Sequence, residues 1–281
     1  MKARLALFVG ILCISIFPIL IKLELSSGFI AAFYRMGIAT VVIVPFTIAS
    51  KKLHIPNKRL LGLSALSGLF FASDVALWNV SIMESNATQA TLLVNLAPVW
   101  VGIGSLLFLK VRPHRNFWIG VGIALLGLIF MLGVKRVSHF DFDRGFILAI
   151  ISGMFYAGYI LLSKESMKKM DVMSFLSVSL VSSTVFLFFI CLFTKQNFLF
   201  HTQNAWFSFL VQGIICQVLA WVLISFALKN MRATRVSLSL LSQAFFSAIF
   251  ARFFLNEQIT MQLIVGGLIV LVGIAFTFKE N

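Results

Sequence analysis

The chain has 281 residues, of which 60% are hydrophobic and only 11% charged, with a mean hydropathy of +1.02. Soluble domains carry about a quarter charged residues, so this composition excludes an ordinary water-soluble fold and indicates an integral membrane protein. The net charge of +14 would suit a nucleic-acid binder if the basic residues formed one patch, but they are spread between apolar runs, and no nucleic-acid partner is expected.

A membrane-crossing helix needs about 20 apolar residues. Polar punctuation divides the sequence into ten runs of that length, at 5–23, 28–50, 60–82, 86–109, 116–134, 145–163, 172–194, 204–228, 234–255 and 260–278. The first run, after Met-Lys-Ala-Arg, is too long for the apolar part of a signal peptide and lacks a small-residue cleavage site, so it is read as span one. With the N-terminus in the cytoplasm, 16 of the 23 basic residues fall on the cytoplasmic side, among them Lys51, Lys52, Lys110, Arg112, Lys164, Lys168, Lys169 and Lys229. The opposite loops keep Lys135, Arg136, Arg144 and Lys195, while Lys22, Arg35 and Arg252 fall in or at the ends of spans. This asymmetry predicts a multi-pass inner-membrane protein with both termini cytoplasmic.

Polar groups inside the spans are costly, and each is a functional candidate. Arg35 lies about seven residues from the outer end of span two, and Asp74 about nine from that of span three. At 1.5 Å per residue their depths differ by about 3 Å, so a pair is open to them. It could be a structural ion pair that makes both helices insertable. Alternatively, Asp74 exchanges a proton or holds a substrate cation, and Arg35 serves as its partner or anchors a substrate carboxylate. Asp74, Trp78 and Ser81 share one helical face, with Asn79 beside them, and Trp78 is either a cation-holding ring or an interface anchor. In span four, Thr88, Thr91 and Asn95 form a polar stripe, and Pro98 leaves the Val94 carbonyl without its helical donor. Tyr156 and Tyr159 in span six either line a cavity or pack. Span eight offers Gln217 and Trp221, and span nine Ser239, Ser242 and Gln243.

Sliding the chain by 146 residues superposes 87–109 on 233–255 without a gap, and Gly120 and Gly127 on Gly266 and Gly273. Ten spans are therefore five plus five, with the division at 1–138 and 139–281. Five is odd, so the second copy starts on the opposite side of the membrane. The expected fold is an all-α membrane protein of two inverted five-helix repeats in one membrane domain, an architecture of secondary transporters. Under this shift Gln217 and Trp221 miss Asp74 and Trp78 by three residues, so the acid has no repeat mate. The small faces Gly120, Ala124, Gly127 and Gly266, Val270, Gly273 read as scaffold packing or a dimer contact.

Glu84, Asp141, Asp143 and Glu257 fall in or near outer loops, and Arg252 can snorkel to the interface. His54, His114, His139 and His201 are scattered in loops, and Cys13, Cys191 and Cys216 lack ligand spacing, so no metal and no cofactor are expected. No hydrolase, metalloprotease or phosphate-loop signature is present, so an enzyme or an ATP-driven pump is unsupported.

On the ATQATLLVNLAPVW segment of span four, the RMGIAT stretch that begins at Arg35 and the FFLNEQIT end of span nine, the chain resembles the EamA-type ten-helix members of the drug/metabolite transporter superfamily. That resemblance implies a central cavity and a cargo of amino acids, other metabolites or drugs. The family often ends span nine with a Gly-Glu-Arg-like sequence. Here the second half has Asn256-Glu257-Gln258, whereas Lys110-Val111-Arg112 in the first half lacks the acid.

The function read from the sequence is secondary transport of a small polar or amphipathic metabolite by alternating access. An amino acid or related compound comes first among cargoes, and export is favoured over uptake. A multidrug exporter is the alternative, with a channel or intramembrane enzyme behind it. Candidate substrate-binding or coupling residues are Arg35, Asp74, Trp78, Asn79, Asn95, Tyr156, Gln217, Trp221 and Gln243. The expected partners are the small-molecule substrate, the lipid bilayer, protons as a candidate coupling ion, and at most a second copy of the chain.

Overall fold

A computed structural model of the chain describes residues 1–23, 25–84, 87–133, 143–199, 202–256 and 258–278. Lys135, Arg136, His139, Asp141, His201 and Glu257 lie outside the described residues, as do the side chains of Lys22 and Thr88. The described residues contain no strand. They hold ten helices long and apolar enough to cross a membrane: Lys2–Ile21, Gly28–Ala49, Lys58–Glu84, Gln89–Leu107, Arg115–Leu132, Arg144–Ser166, Val172–Phe193, Gln203–Asn230, Ala233–Leu255 and Met261–Phe278, hereafter spans one to ten. Their ends stay within three residues of the apolar runs; Gln89 against 86 and Ser166 against 163 are among the widest departures.

Local chemistry sets several of these ends. Ser27, Asp171 and Thr202 cap spans two, seven and eight by accepting from the backbone N–H groups of Ile30, Met173 and Ala205, which satisfies donors that the first helical turn leaves open. Lys51, Lys110, Lys195 and Asn256 adopt the left-handed conformation just past spans two, four, seven and nine, the residue conformation that commonly stops a helix.

Packing groups the chain into two compact units, Met1–Ala76 with Leu162–Asn230 and Leu77–Leu161 with Met231–Asn281. Each unit draws on both halves of the sequence. In the first unit, small and hydroxylated residues let helix backbones touch. A Cβ at Gly68 of span three would stand 2.1 Å from the carbonyl oxygen of Ser179 in span seven. At that crossing the Ser183 hydroxyl donates to the Gly68 carbonyl and that of Ser182 to Ala65, both at 2.8 Å. Thr40 meets Thr184 at 2.8 Å, and the Ser67 and Ser163 hydroxyls meet at 3.0 Å. Inside a bilayer such interhelical bonds are each worth about 0.6–2 kcal/mol. Span one meets span eight at Gly10, where a Cβ would lie 3.0 Å from the Ala220 carbonyl oxygen.

The second unit is built on spans five and ten. A Cβ at Gly120 would stand 2.5 Å from the Gly273 carbonyl oxygen, and one at Gly273 would stand 2.6 Å from that of Gly120. Gly127 and Gly266 show the same reciprocal approach at 2.7 Å. Since 120 faces 273 and 127 faces 266, the helices run antiparallel and lie backbone to backbone. Both small faces are thus used on one another. Phe117, Val121, Leu128, Leu238, Leu241 and Val270 form a buried cluster there.

Candidate functional site

In the first unit, span two carries Arg35 into the interior, where it is 4% exposed. Its guanidinium carbon lies 4.3 Å from the centre of the Phe17 ring and 6.0 Å from that of Phe71. Phe71 in turn meets Trp221 edge to face, with ring centres 5.0 Å apart. The Asp74 carboxylate, 8% exposed on span three, is within electrostatic reach of the guanidinium. Among the described residues Arg35 forms no ion-pair contact, so rings rather than an acid touch its charge. A charged side chain at mid-membrane costs about 2.5–3.5 kcal/mol on insertion scales, and a desolvated cation–π contact returns about 2 kcal/mol. Phe17 therefore offsets most of the cost, and the charge of Asp74 acts on the remainder.

Two irregular helices frame this residue. Span one breaks at Ser15 and Ile16, between α-helical segments Lys2–Ile14 and Phe17–Lys22. Pro18 has no N–H for the Ile14 carbonyl, and the Ser15 hydroxyl donates back to Ile11 at 2.6 Å. The break makes Phe17 the first residue of a new segment. Span eight is α-helical over Gln203–Val211 and Ala220–Asn230 but π-helical over Gln212–Leu219. Single-turn π segments cluster at functional sites. Gln217 and Trp221 are 3% and 2% exposed. The amide oxygens of Gln212 and Gln217 and Nε of Arg35 are buried without hydrogen-bond partners, each at a cost of about 1–3 kcal/mol if left dry and unfilled.

The second unit holds the other candidates. Trp78 is half-buried against the Ala90, Leu93 and Ala149 cluster, and its indole N–H, like that of Trp100, is buried without a hydrogen-bond partner. Asn79 is half-buried on the same helix. Span four breaks at Asn95 and Leu96, between Ala87–Val94 and Ala97–Leu107. The Asn95 amide turns back on its own helix, donating to the Thr91 carbonyl at 2.7 Å. The Val94 carbonyl oxygen freed by Pro98 faces span six, 3.2 Å from where a Cβ of Gly153 would stand. Tyr156 stacks on Tyr159 with ring centres 6.4 Å apart.

Span nine breaks at Leu241, between Ala233–Leu240 and Ser242–Leu255, and half-buried Gln243 follows at once. Asn95 shifted by 146 is Leu241, so the breaks in spans four and nine fall at equivalent positions of that shift. Only the first uses proline. In the second, Ser239 donates to the Arg235 carbonyl at 2.8 Å and Ser242 to that of Ser239 at 2.7 Å, back-bonding that bends helices.

The nine candidates thus divide between the units: Arg35, Asp74, Gln217 and Trp221 in the first, Trp78, Asn79, Asn95, Tyr156 and Gln243 in the second. Phe17, Phe71 and Gln212 escaped the sequence reading. Pro18 inside an apolar run and Gly213 between two glutamines were the available signals.

A model of the EamA-like transporter family matches residues 1–133 and 143–279. Two uncharacterized transporters of Archaeoglobus fulgidus are similar along most of their length. One is 25% identical over 88% of this chain and 86% of its own, the other 27% identical over 94% and 92%. The uncharacterized transporter YdfC of Bacillus subtilis is 23% identical over 89% of this chain and 81% of its own. A crystal structure superposes with a TM-score of 0.82 over 98% of this chain and 95% of that one, at 16% identity, which speaks to the fold alone.

Proposed function

The chain belongs to the EamA-like transporter family, and on that premise we propose that it is a secondary carrier moving a small polar or amphipathic metabolite by alternating access. An amino acid or related compound is the first cargo and export the favoured direction. The same proposal sets the chain in the inner membrane with both termini cytoplasmic, as two inverted five-helix repeats.

The observation that carries the reading is the loss of regular helix within four spans, at Ser15–Ile16, Asn95–Leu96, Gln212–Leu219 and Leu241. Irregular backbone at membrane depth persists only where protein or a water-filled cavity satisfies it, and transporters place their sites at such interruptions. The inverted arrangement draws support from the glycine seam. A shift of 146 converts the Gly120–Gly273 approach into Gly266–Gly127, the relation expected of a two-fold axis between spans five and ten. Arg35 and Asp74 are the substrate-contacting or coupling pair of this reading.

Counterflow tests it. Proteoliposomes loaded with unlabelled amino acid should accumulate labelled amino acid against its gradient, at a rate that saturates. Conduction without saturation or exchange, across a broad metabolite panel, would indicate a channel instead.

A further inference from the structure

Span eight leaves α-helical geometry at Gln212–Leu219, where i→i+5 bonding replaces i→i+4. The change has a directional consequence. An α-helix would set Gln212 and Gln217 about 140° apart around its axis, whereas a π turn of about 4.4 residues brings them within about 50°. Both side chains are buried, at 1% and 3% exposure. Gly213 lies against span two, its Cβ position 2.6 Å from Ile38 and 3.5 Å from the Arg35 carbonyl oxygen. Cys216, on the same segment, is within electrostatic reach of the Arg35 guanidinium. The π segment therefore flanks Arg35 and presents both glutamines from one side.

What these groups leave open is complementary. The Gln212 amide nitrogen donates to Ser208 Oγ at 2.9 Å, while its oxygen, the Gln217 amide oxygen and Arg35 Nε have no partner. One strong donor and two acceptors are thus buried without a protein partner, where each is costly to leave so. Phe17 covers a face of the guanidinium at 4.3 Å, so an incoming group must approach its edge, the geometry in which Arg binds an oxyanion.

Resting on the carrier reading above, we propose that Arg35 and the π-helical stretch of span eight form one binding site within the first unit, for a small molecule that carries both an oxyanion and a hydrogen-bond donor. The oxyanion meets the Arg35 edge, and the donor meets the amide oxygens of Gln212 and Gln217. Phe71 and Trp221 supply aromatic surface for its apolar part. With Asp74 balancing Arg35, a ligand whose own charges cancel adds no net charge to the membrane interior.

The test is binding by the full chain in lipid nanodiscs, read by thermal shift and calorimetry, since a ligand that binds the folded state raises its apparent stability. The probes are the twenty α-amino acids, the amide and N-acetyl derivatives of the tightest binder, and inorganic phosphate. Removing the oxyanion or the donor should each weaken binding at least tenfold. Gln212→Leu and Gln217→Leu should each weaken the parent at least fivefold, and Gln212→Leu/Gln217→Leu should abolish its shift.

Binding of the amide as tight as the parent, stabilisation by phosphate alone, unchanged titration of the double variant, or no shift with any probe would each overturn the site. Counterflow of some other compound under those outcomes would leave the carrier standing and remove only this site.

Discussion

Gly120→Ala is the sharpest test of the second unit. Its new Cβ would stand 2.5 Å from the Gly273 carbonyl oxygen and 2.8 Å from the Thr277 methyl. Ordinary contact begins near 3.4 Å, so the shortfall is 3.4 − 2.5 = 0.9 Å against backbone, which cannot rotate away. Spans five and ten must part by about that distance. A gap of this size forfeits about a quarter to a half of each 0.1–0.2 kcal/mol atom contact, and over on the order of forty contacts the loss is about 2 kcal/mol. Overpacked cores lose about 1–3 kcal/mol, in agreement. Gly266→Ala, the matching change 146 residues along, meets the Gly127 carbonyl at 2.7 Å and should cost a similar amount. Gly120→Ala with Gly273→Ala acts at one crossing and should cost less than the two singles added. SDS titration of unfolding in mixed micelles reads these values, with Gly62→Ala as control because nothing lies within 4 Å of its Cβ position. Stability of Gly120→Ala equal to that of Gly62→Ala would refute the seam.

Phe17→Ala removes the ring 4.3 Å from Arg35 and should destabilise by about 2 kcal/mol. In the same titration, Phe17→Ala/Arg35→Met should recover much of that loss, because the charge needing the ring is gone. Asp74→Asn should abolish any proton dependence of exchange while the protein still purifies as one species; exchange with unchanged pH dependence would make Asp74 structural. Ser239→Ala/Ser242→Ala removes the two back-bonds at the span-nine break and should slow counterflow at least several-fold with little change in unfolding free energy. Arg144→Ala breaks a 3.3 Å pair with Glu84 in which the Arg side chain is 78% exposed, and the same titration should register less than about 0.5 kcal/mol.

The ten spans were legible because apolar length is a direct readout of bilayer thickness. The break in span four was legible too, since a proline removes a donor at a known position. The matching break in span nine was not. Serine back-bonding has no fixed sequence signature, and Ser239 and Ser242 read equally well as a polar stripe. Phe17 stayed hidden because nothing in the spacing of 17 and 35 says which ring will cover a buried cation. The π segment was hidden because π turns carry no residue-type signature, and the apolar run that contains Gln212–Leu219 reads as one continuous α-helix. Nor does the sequence division at 138 and 139 reveal the grouping of spans, in which each compact unit recruits from both halves.

The seam between spans five and ten also limits how the second unit can move. Backbone meets backbone at Gly120–Gly273 and Gly127–Gly266, with Ala124 and Val270 between them. Sliding one helix along the other by three or four residues, about 4.5–6 Å, would drive the side chain of Ala124 or Val270 into the space a glycine leaves. Tilting about the contact moves no side chain into that space. The seam is therefore a pivot rather than a piston, and rearrangements of this unit should be angular, with spans five and ten keeping their register throughout.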